Sequence, residues 1–168
     1  MKVFTVRFTV VTLILLLFFF SCEEKIPRTN VPNAPVNLRL QLHSYDDILK
    51  NHFAYKIFTE KDRRTSTDKF GYSGLLVVTG GDINQIYAYD LCCPYEGDKN
   101  ILITPKSNGK AECEKCGSVF ITIYGSFIPG LGMVGLGSAE DGPAASEGLS
   151  LRSYSVIPIQ QEEYRIVN

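Results

Sequence analysis

The sequence predicts an all-β fold, an antiparallel sandwich or barrel of short strands. Apolar residues alternate or come in short runs, and no helical period holds over a long window. Fourteen glycines and eight prolines punctuate those runs, and Tyr and Phe are abundant (9 and 10) where Trp is absent. The length, 168 residues, suits one domain. A hydrophobic fraction of 45% excludes a disordered tail, and a formal net charge of −1 leaves no cationic excess for nucleic acid.

Residues 1–21 read as a secretory signal. Lys2 and Arg7 precede a 13-residue apolar run, Phe8 to Phe20, interrupted only by Thr9 and Thr12. A spanning helix needs about 20 apolar residues, so the run is too short to cross a bilayer. It stops at Ser21-Cys22, and a small residue before Cys at that place resembles a bacterial lipoprotein signal. The resemblance implies acylation of Cys22 as the mature N-terminus and a lipid anchor in the cell envelope. Phe20 departs from the tightest form of the motif. A plain signal peptide cleaved elsewhere, leaving Cys22 an odd thiol, is the alternative. Each buried acyl methylene would add about 0.8 kcal/mol of membrane affinity. Without Lys2 and Arg7, 15 basic side chains face 18 acidic ones. Residues 22–35, with Pro27, Pro32 and Pro35, read as an extended tether to a domain over 36–168.

Within that domain Val36 to Leu42 alternates as a half-buried strand, Tyr45 to Phe53 holds one or two helical turns, and Tyr55 to Phe58 is a short strand. Thr59 to Asp68 reads as a solvated loop with the charge run Glu60-Lys61-Asp62-Arg63-Arg64. Gly74–Thr79 and Gln85–Tyr89 flank Gly80-Gly81-Asp82, residues that tolerate positive φ in a hairpin turn. Further strands are expected at Ile101–Thr104, Val119–Tyr124, Leu151–Ile157 and Tyr164–Val167, with a turn at Ser107-Asn108-Gly109-Lys110. Gly125 to Gly148 holds five more glycines and reads as a long loop.

Four cysteines concentrate the chemistry. Leu91-Cys92-Cys93-Pro94-Tyr95-Glu96-Gly97 follows one strand, and Cys113-Glu114-Lys115-Cys116-Gly117-Ser118 precedes another. The second is a Cys-x-x-Cys turn able to converge on a metal or close a disulfide. The hairpin between them is expected to bring the two turns together.

Cys93-Pro94, then Cys113 through Gly117-Ser118-x-Phe120, then Gly142-Pro143-Ala144 and a closing strand pair resemble a Rieske-type [2Fe–2S] domain over roughly 36–168, with an insertion around Ile128–Asp141. The resemblance implies a Rieske-like antiparallel sandwich or barrel with a cluster-binding subdomain formed by two Cys loops, and a third loop covering the cluster. One departure is decisive. Rieske centres use two Cys and two His, and the His places hold Tyr95 and Cys116. The two histidines, His43 and His52, precede both loops.

Three readings follow. In the preferred one Cys93, Cys113 and Cys116 ligate an iron–sulfur cluster, with Cys92 or Tyr95 as fourth ligand. Adjacent Cys92 and Cys93 would need a tight turn at Pro94 to join one site. Anionic ligands in place of His would lower the potential below the Rieske range of about −150 to +300 mV, nearer the plant-type value. The function is then electron transfer with a protein partner. In the second reading the domain is a cluster-free binding or structural module stapled by disulfides, one of them worth roughly 3 kcal/mol for a closed segment of about 20 residues. Its contact surface would be Phe127–Gly137, where Ile128, Leu131, Met133, Val134 and Leu136 are unusually apolar for a loop. A structural zinc ranks last. No Gly-x-Ser-x-Gly, Walker loop or His-Glu-x-x-His is present, so no stand-alone enzyme is indicated. Asp82 and Asp90 read as turn or cap residues.

Overall fold

The computed structural model describes residues 28–82, 85–124, 126–128 and 132–168. The signal segment, Cys22, the first half of the tether and Leu131 lie outside these residues. The expected all-β class is what forms. Helix is confined, among the described residues, to single 3₁₀ turns at Asp47–Lys50 and Glu60–Asp62 and one α-helix, α1, at Pro143–Ser146.

Among the described residues, thirteen strands run in chain order. They are β1 (Val36–Gln41), β2 (Tyr55–Phe58), β3 (Lys69–Phe70), β4 (Leu75–Thr79), β5 (Ile86–Asp90), β6 (Ile103–Pro105), β7 (Lys110–Cys113), β8 (Val119–Ile121), β9 (Ser126–Ile128), β10 (Gly132–Val134), β11 (Ala139–Asp141), β12 (Ser153–Gln160) and β13 (Glu163–Val167). Seven form one antiparallel sheet in the order β2-β4-β5-β12-β13-β1-β3, barrel-like and nearly closed. A four-stranded antiparallel sheet, β11-β8-β7-β6, stands beside it, and β9 pairs with β10.

Period-two alternation explains the large sheet. Val36, Leu38 and Leu40 point inward from β1 onto Phe58, Phe70, Leu75, Val77, Ala88 and Ile166. β4 is buried along its whole length and feeds both cores: Leu75 and Val77 face this one, Leu76 and Val78 face a second. The second core lies under the small sheet and contains Leu91, Ile103, Phe120, Leu149 and Leu151 together with Cys93 and Cys113. The cysteine turns are therefore built into a hydrophobic cluster, at the junction of the two sheets.

Several expectations are corrected. The stretch from Gly125 to Gly148 is not a structureless loop: it carries β9, β10, β11 and α1. Strands of three residues leave too short a pattern to read, and β11 is stabilised by distant pairing with β8. Gly80 and Gly81 do not adopt positive φ. A Cβ on Gly81 would require the exposed Tyr124 ring to move aside. Arg64 does not belong to a purely solvated run: its guanidinium reaches the fully buried Asp46 carboxylate, as does Lys56. From Arg28 onward the tether is docked. Ser150 N–H donates to Arg28 O at 2.7 Å, Arg152 holds Val31 O, and Val31 is buried.

Candidate metal centre

Two turns of like construction meet at the junction. The first leaves β5 and runs Cys93-Pro94-Tyr95-Glu96-Gly97. The second joins β7 to β8 and runs Cys113-Glu114-Lys115-Cys116-Gly117. In each, the glycine four residues after the cysteine donates its N–H to that cysteine's carbonyl, Gly97 to Cys93 at 2.9 Å and Gly117 to Cys113 at 2.8 Å. Both glycines are left-handed, with φ of 65° and 70°, which a side chain would resist. The hairpin β6–β7 brings the turns together, as expected, with Ile103 opposite Cys113. Cys92 bridges Leu102, and Cys93 N–H donates to Ile101 O, so the first turn is stitched to the same hairpin.

The sulfurs of Cys93, Cys113 and Cys116 all lie within 4.8 Å of one another. Cys93 Sγ and Cys116 Sγ lie 3.7 Å apart. Cys93 and Cys113 are fully buried and Cys116 is half-buried, so the group opens to solvent on the Cys116 side. All four described cysteines are free thiols.

Cys92 is not brought into this group. Adjacent residues on extended backbone face opposite ways, and its sulfur lies on the Cys93 and Asp98 carbonyls at 3.5 and 3.4 Å. Tyr95 is exposed at the tip of the turn, and what it and Glu96 present to Cys93 Sγ is backbone N–H. His43 and His52 stand elsewhere: His43 lies near Glu163 and His52 against Phe53.

Cys93 and Cys116 do not share one acidity. Burial pushes Cys93 well up, against the opposing N–H groups of Glu96 and Tyr95. Burial is also the largest influence on Cys116, and raises it. The Ser118 hydroxyl and N–H and the neighbouring thiols together outweigh that, so Cys116 sits below the ordinary thiol value. Cys92, outside the group, is pushed up to about 11 by burial. Of Cys93 and Cys116, the latter is therefore the readier to ionise. A divalent cation would be the natural way to ionise all three together.

The third element is a lid. Ser118 Oγ lies 3.2 Å from Cys116 Sγ and accepts the Ala144 N–H at 3.0 Å. Gly142 (φ 80°, ψ −172°) comes so close that a Cβ there would stand 2.7 Å from Ser118 Cα. Gly142-Pro143-Ala144 thus sits on the second cysteine turn, and Ala144 joins the same buried cluster as Cys93 and Cys113.

Asp90, read from the sequence as a turn or cap residue, caps the backbone beside the first cysteine turn. Asp90 ends β5 three residues before Cys93 and is fully buried. Its carboxylate accepts the N–H groups of Tyr72, Ser73 and Cys92 and the Tyr154 hydroxyl, at 2.7, 3.2, 2.9 and 2.8 Å. The sequence signal for that role is an acid closing an apolar strand two residues before the Cys92-Cys93 pair.

No family model, curated protein or solved structure matches the chain. Three close thiols able to hold a metal ion are what the site itself offers.

Proposed function

We propose that this protein is a lipid-anchored envelope protein whose Rieske-like β domain holds an iron–thiolate centre through Cys93, Cys113 and Cys116 and exchanges electrons with a protein partner. The convergence of those three sulfurs within 4.8 Å carries the reading. The donor set fits the group: three thiols, mostly buried, with N–H groups aimed at sulfur and a lid over one side. Iron bound there would supply one-electron chemistry. The chain's own residues bind it, shield it and leave one edge, at Cys116, facing a partner.

The sulfur spacing favours one ion. Thiolates about 2.3 Å from a tetrahedral ion stand about 3.8 Å apart, close to the 3.7 Å between Cys93 and Cys116. Sulfurs on different metals of a binuclear cluster are separated further by the metal–metal vector. The [2Fe–2S] form expected from the order of motifs would need the turns to open.

A second reading also has an observation behind it. The 3.7 Å contact between Cys93 and Cys116 is near enough for oxidation to join them, and an envelope compartment is oxidising. The domain is then a cluster-free module.

The test is anaerobic purification of the full chain from membranes, followed by metal content, acid-labile sulfide, thiol titration and mass of the N-terminal peptide. Iron without sulfide supports the single-ion centre, and iron with sulfide the binuclear one. Zinc alone removes electron transfer. A metal-free chain with a Cys93–Cys116 disulfide gives the second reading. An unacylated Cys22 removes the anchor.

A further inference from the structure

Three sulfurs leave a tetrahedral ion one ligand short, and the sequence offers Cys92 and Tyr95 for the place. The geometry points to a different residue: we propose that Glu96 is the fourth ligand, making a Cys93–Glu96–Cys113–Cys116 centre with two ligands from each turn.

The two turns repeat one construction. Each runs Cys-x-x-x-Gly and is closed by the same bond, glycine N–H to cysteine carbonyl, with the glycine left-handed. Equal construction places equal positions at equivalent points. Three residues after Cys113 comes Cys116, whose sulfur lies against Cys93. Three residues after Cys93 comes Glu96. A carboxylate is a metal ligand in its own right, at about 2.0–2.2 Å, and its longer side chain gives it more reach than a thiol.

The present contacts of Glu96 agree with that place. Its side chain is largely buried, at 14% exposure, although it is charged and sits on a turn. Its N–H lies on Cys93 Sγ. Its carboxylate already crosses to the second turn, where Lys115, the residue before Cys116, pairs with it at 2.7 Å. It does not stand among the sulfurs in this arrangement. Metal uptake would exchange the Lys115 ammonium for the ion: the Glu96–Lys115 ion pair breaks, an oxygen–metal bond forms, and the ammonium moves to solvent, where 59% of its side chain already is. Cys92 cannot compete, because its sulfur is turned onto two backbone carbonyls.

This assignment rests on the proposal that the site binds metal, and one experiment separates the two. The full chain, reduced, is titrated with Co(II), and the sulfur-to-cobalt charge-transfer band and the affinity are read for the wild type, Glu96→Gln and Glu96→Cys. Wild type should show three thiolate bonds. Glu96→Gln should keep that band but bind at least about tenfold more weakly. Glu96→Cys should show a four-thiolate spectrum, the band rising by roughly a third in step with the added bond. A residue needed only for the Lys115 pair could not produce that increment. If Glu96→Gln binds as tightly as wild type, or Glu96→Cys keeps the three-sulfur band, the assignment falls while the metal site stands. If the reduced wild type takes up no Co(II), both fall.

Discussion

The Tyr154 hydroxyl donates to the Asp90 carboxylate at 2.8 Å, and both groups are buried. That bond ties β12 to the end of β5, the point from which the first cysteine turn departs. Three backbone N–H groups from two other segments share the carboxylate, Tyr72 and Ser73 before β4 and Cys92 after β5. The large sheet thereby fixes where the turn begins, so its stability and the geometry of the sulfur group are linked.

Tyr154→Phe removes the hydroxyl and keeps the ring. A hydrogen bond to a charged group contributes about 1.5–3 kcal/mol, so urea unfolding should show a loss of that size. Gly71 stands against both partners, with little space for a rescuing water. A change near zero would mean that the three N–H donors alone satisfy Asp90.

The lid depends on the absence of a side chain at Gly142. Alanine there meets Ser118 Cα and must hold a backbone conformation essentially reserved to glycine. Gly142→Ala should cost about 1–3 kcal/mol in thermal unfolding, and it should speed alkylation of Cys116 in the metal-free protein by freeing Ser118 from Ala144. Unchanged labelling would show that the lid does not restrain Cys116.

Labelling should also rank the thiols of the reduced protein. Cys116 is half-buried and Cys92, Cys93 and Cys113 are fully buried, so iodoacetamide followed by peptide mapping should find Cys116 modified first and the others only as the fold opens. Cys92→Ala should leave Co(II) uptake unchanged, since its sulfur faces carbonyls rather than the group. Loss of uptake in that variant would place Cys92 in the centre after all.

What could be read from sequence follows from the range of the interactions. β2 lies where its residues suggest, and β1 and β13 do so within one residue, because alternation is local. The meeting of the cysteine turns was also legible, because a hairpin of ordinary spacing joins them. β9 to β11 were hidden: three-residue strands have too few positions to show a period, and β11 is held by β8, some twenty residues earlier. Glu96 was hidden for another reason. Its turn repeats that of Cys116, but a carboxylate standing where the other turn has a thiol breaks the visible motif. Arg64 looked solvated because its buried partner, Asp46, is 18 residues away.

That last pair predicts a pH dependence. Burial works to raise the Asp46 carboxyl, but hydrogen bonds from Arg64, Gln41 N–H and Lys56 outweigh it, and the group sits below its ordinary value of 3.8. A depressed carboxylate contributes stability that is fully present above the unfolded value and is lost as pH falls through the folded one. Asp68, lowered by Thr65 and by the Arg64 N–H, adds to the same acid limb. Asp46→Asn should therefore destabilise the protein by a constant amount at neutral pH, with the gap from wild type closing below pH 3.8. Removing one member of a buried pair costs about 3–5 kcal/mol, and the lower end applies because Arg64 and Lys56 keep 24% and 27% of their side chains in solvent. Urea midpoints measured from pH 7 down to about pH 2 check this, since that window crosses the ordinary carboxyl value. Wild-type and variant curves that stay parallel throughout would show that Asp46 is not the carboxylate whose protonation weakens the fold in acid.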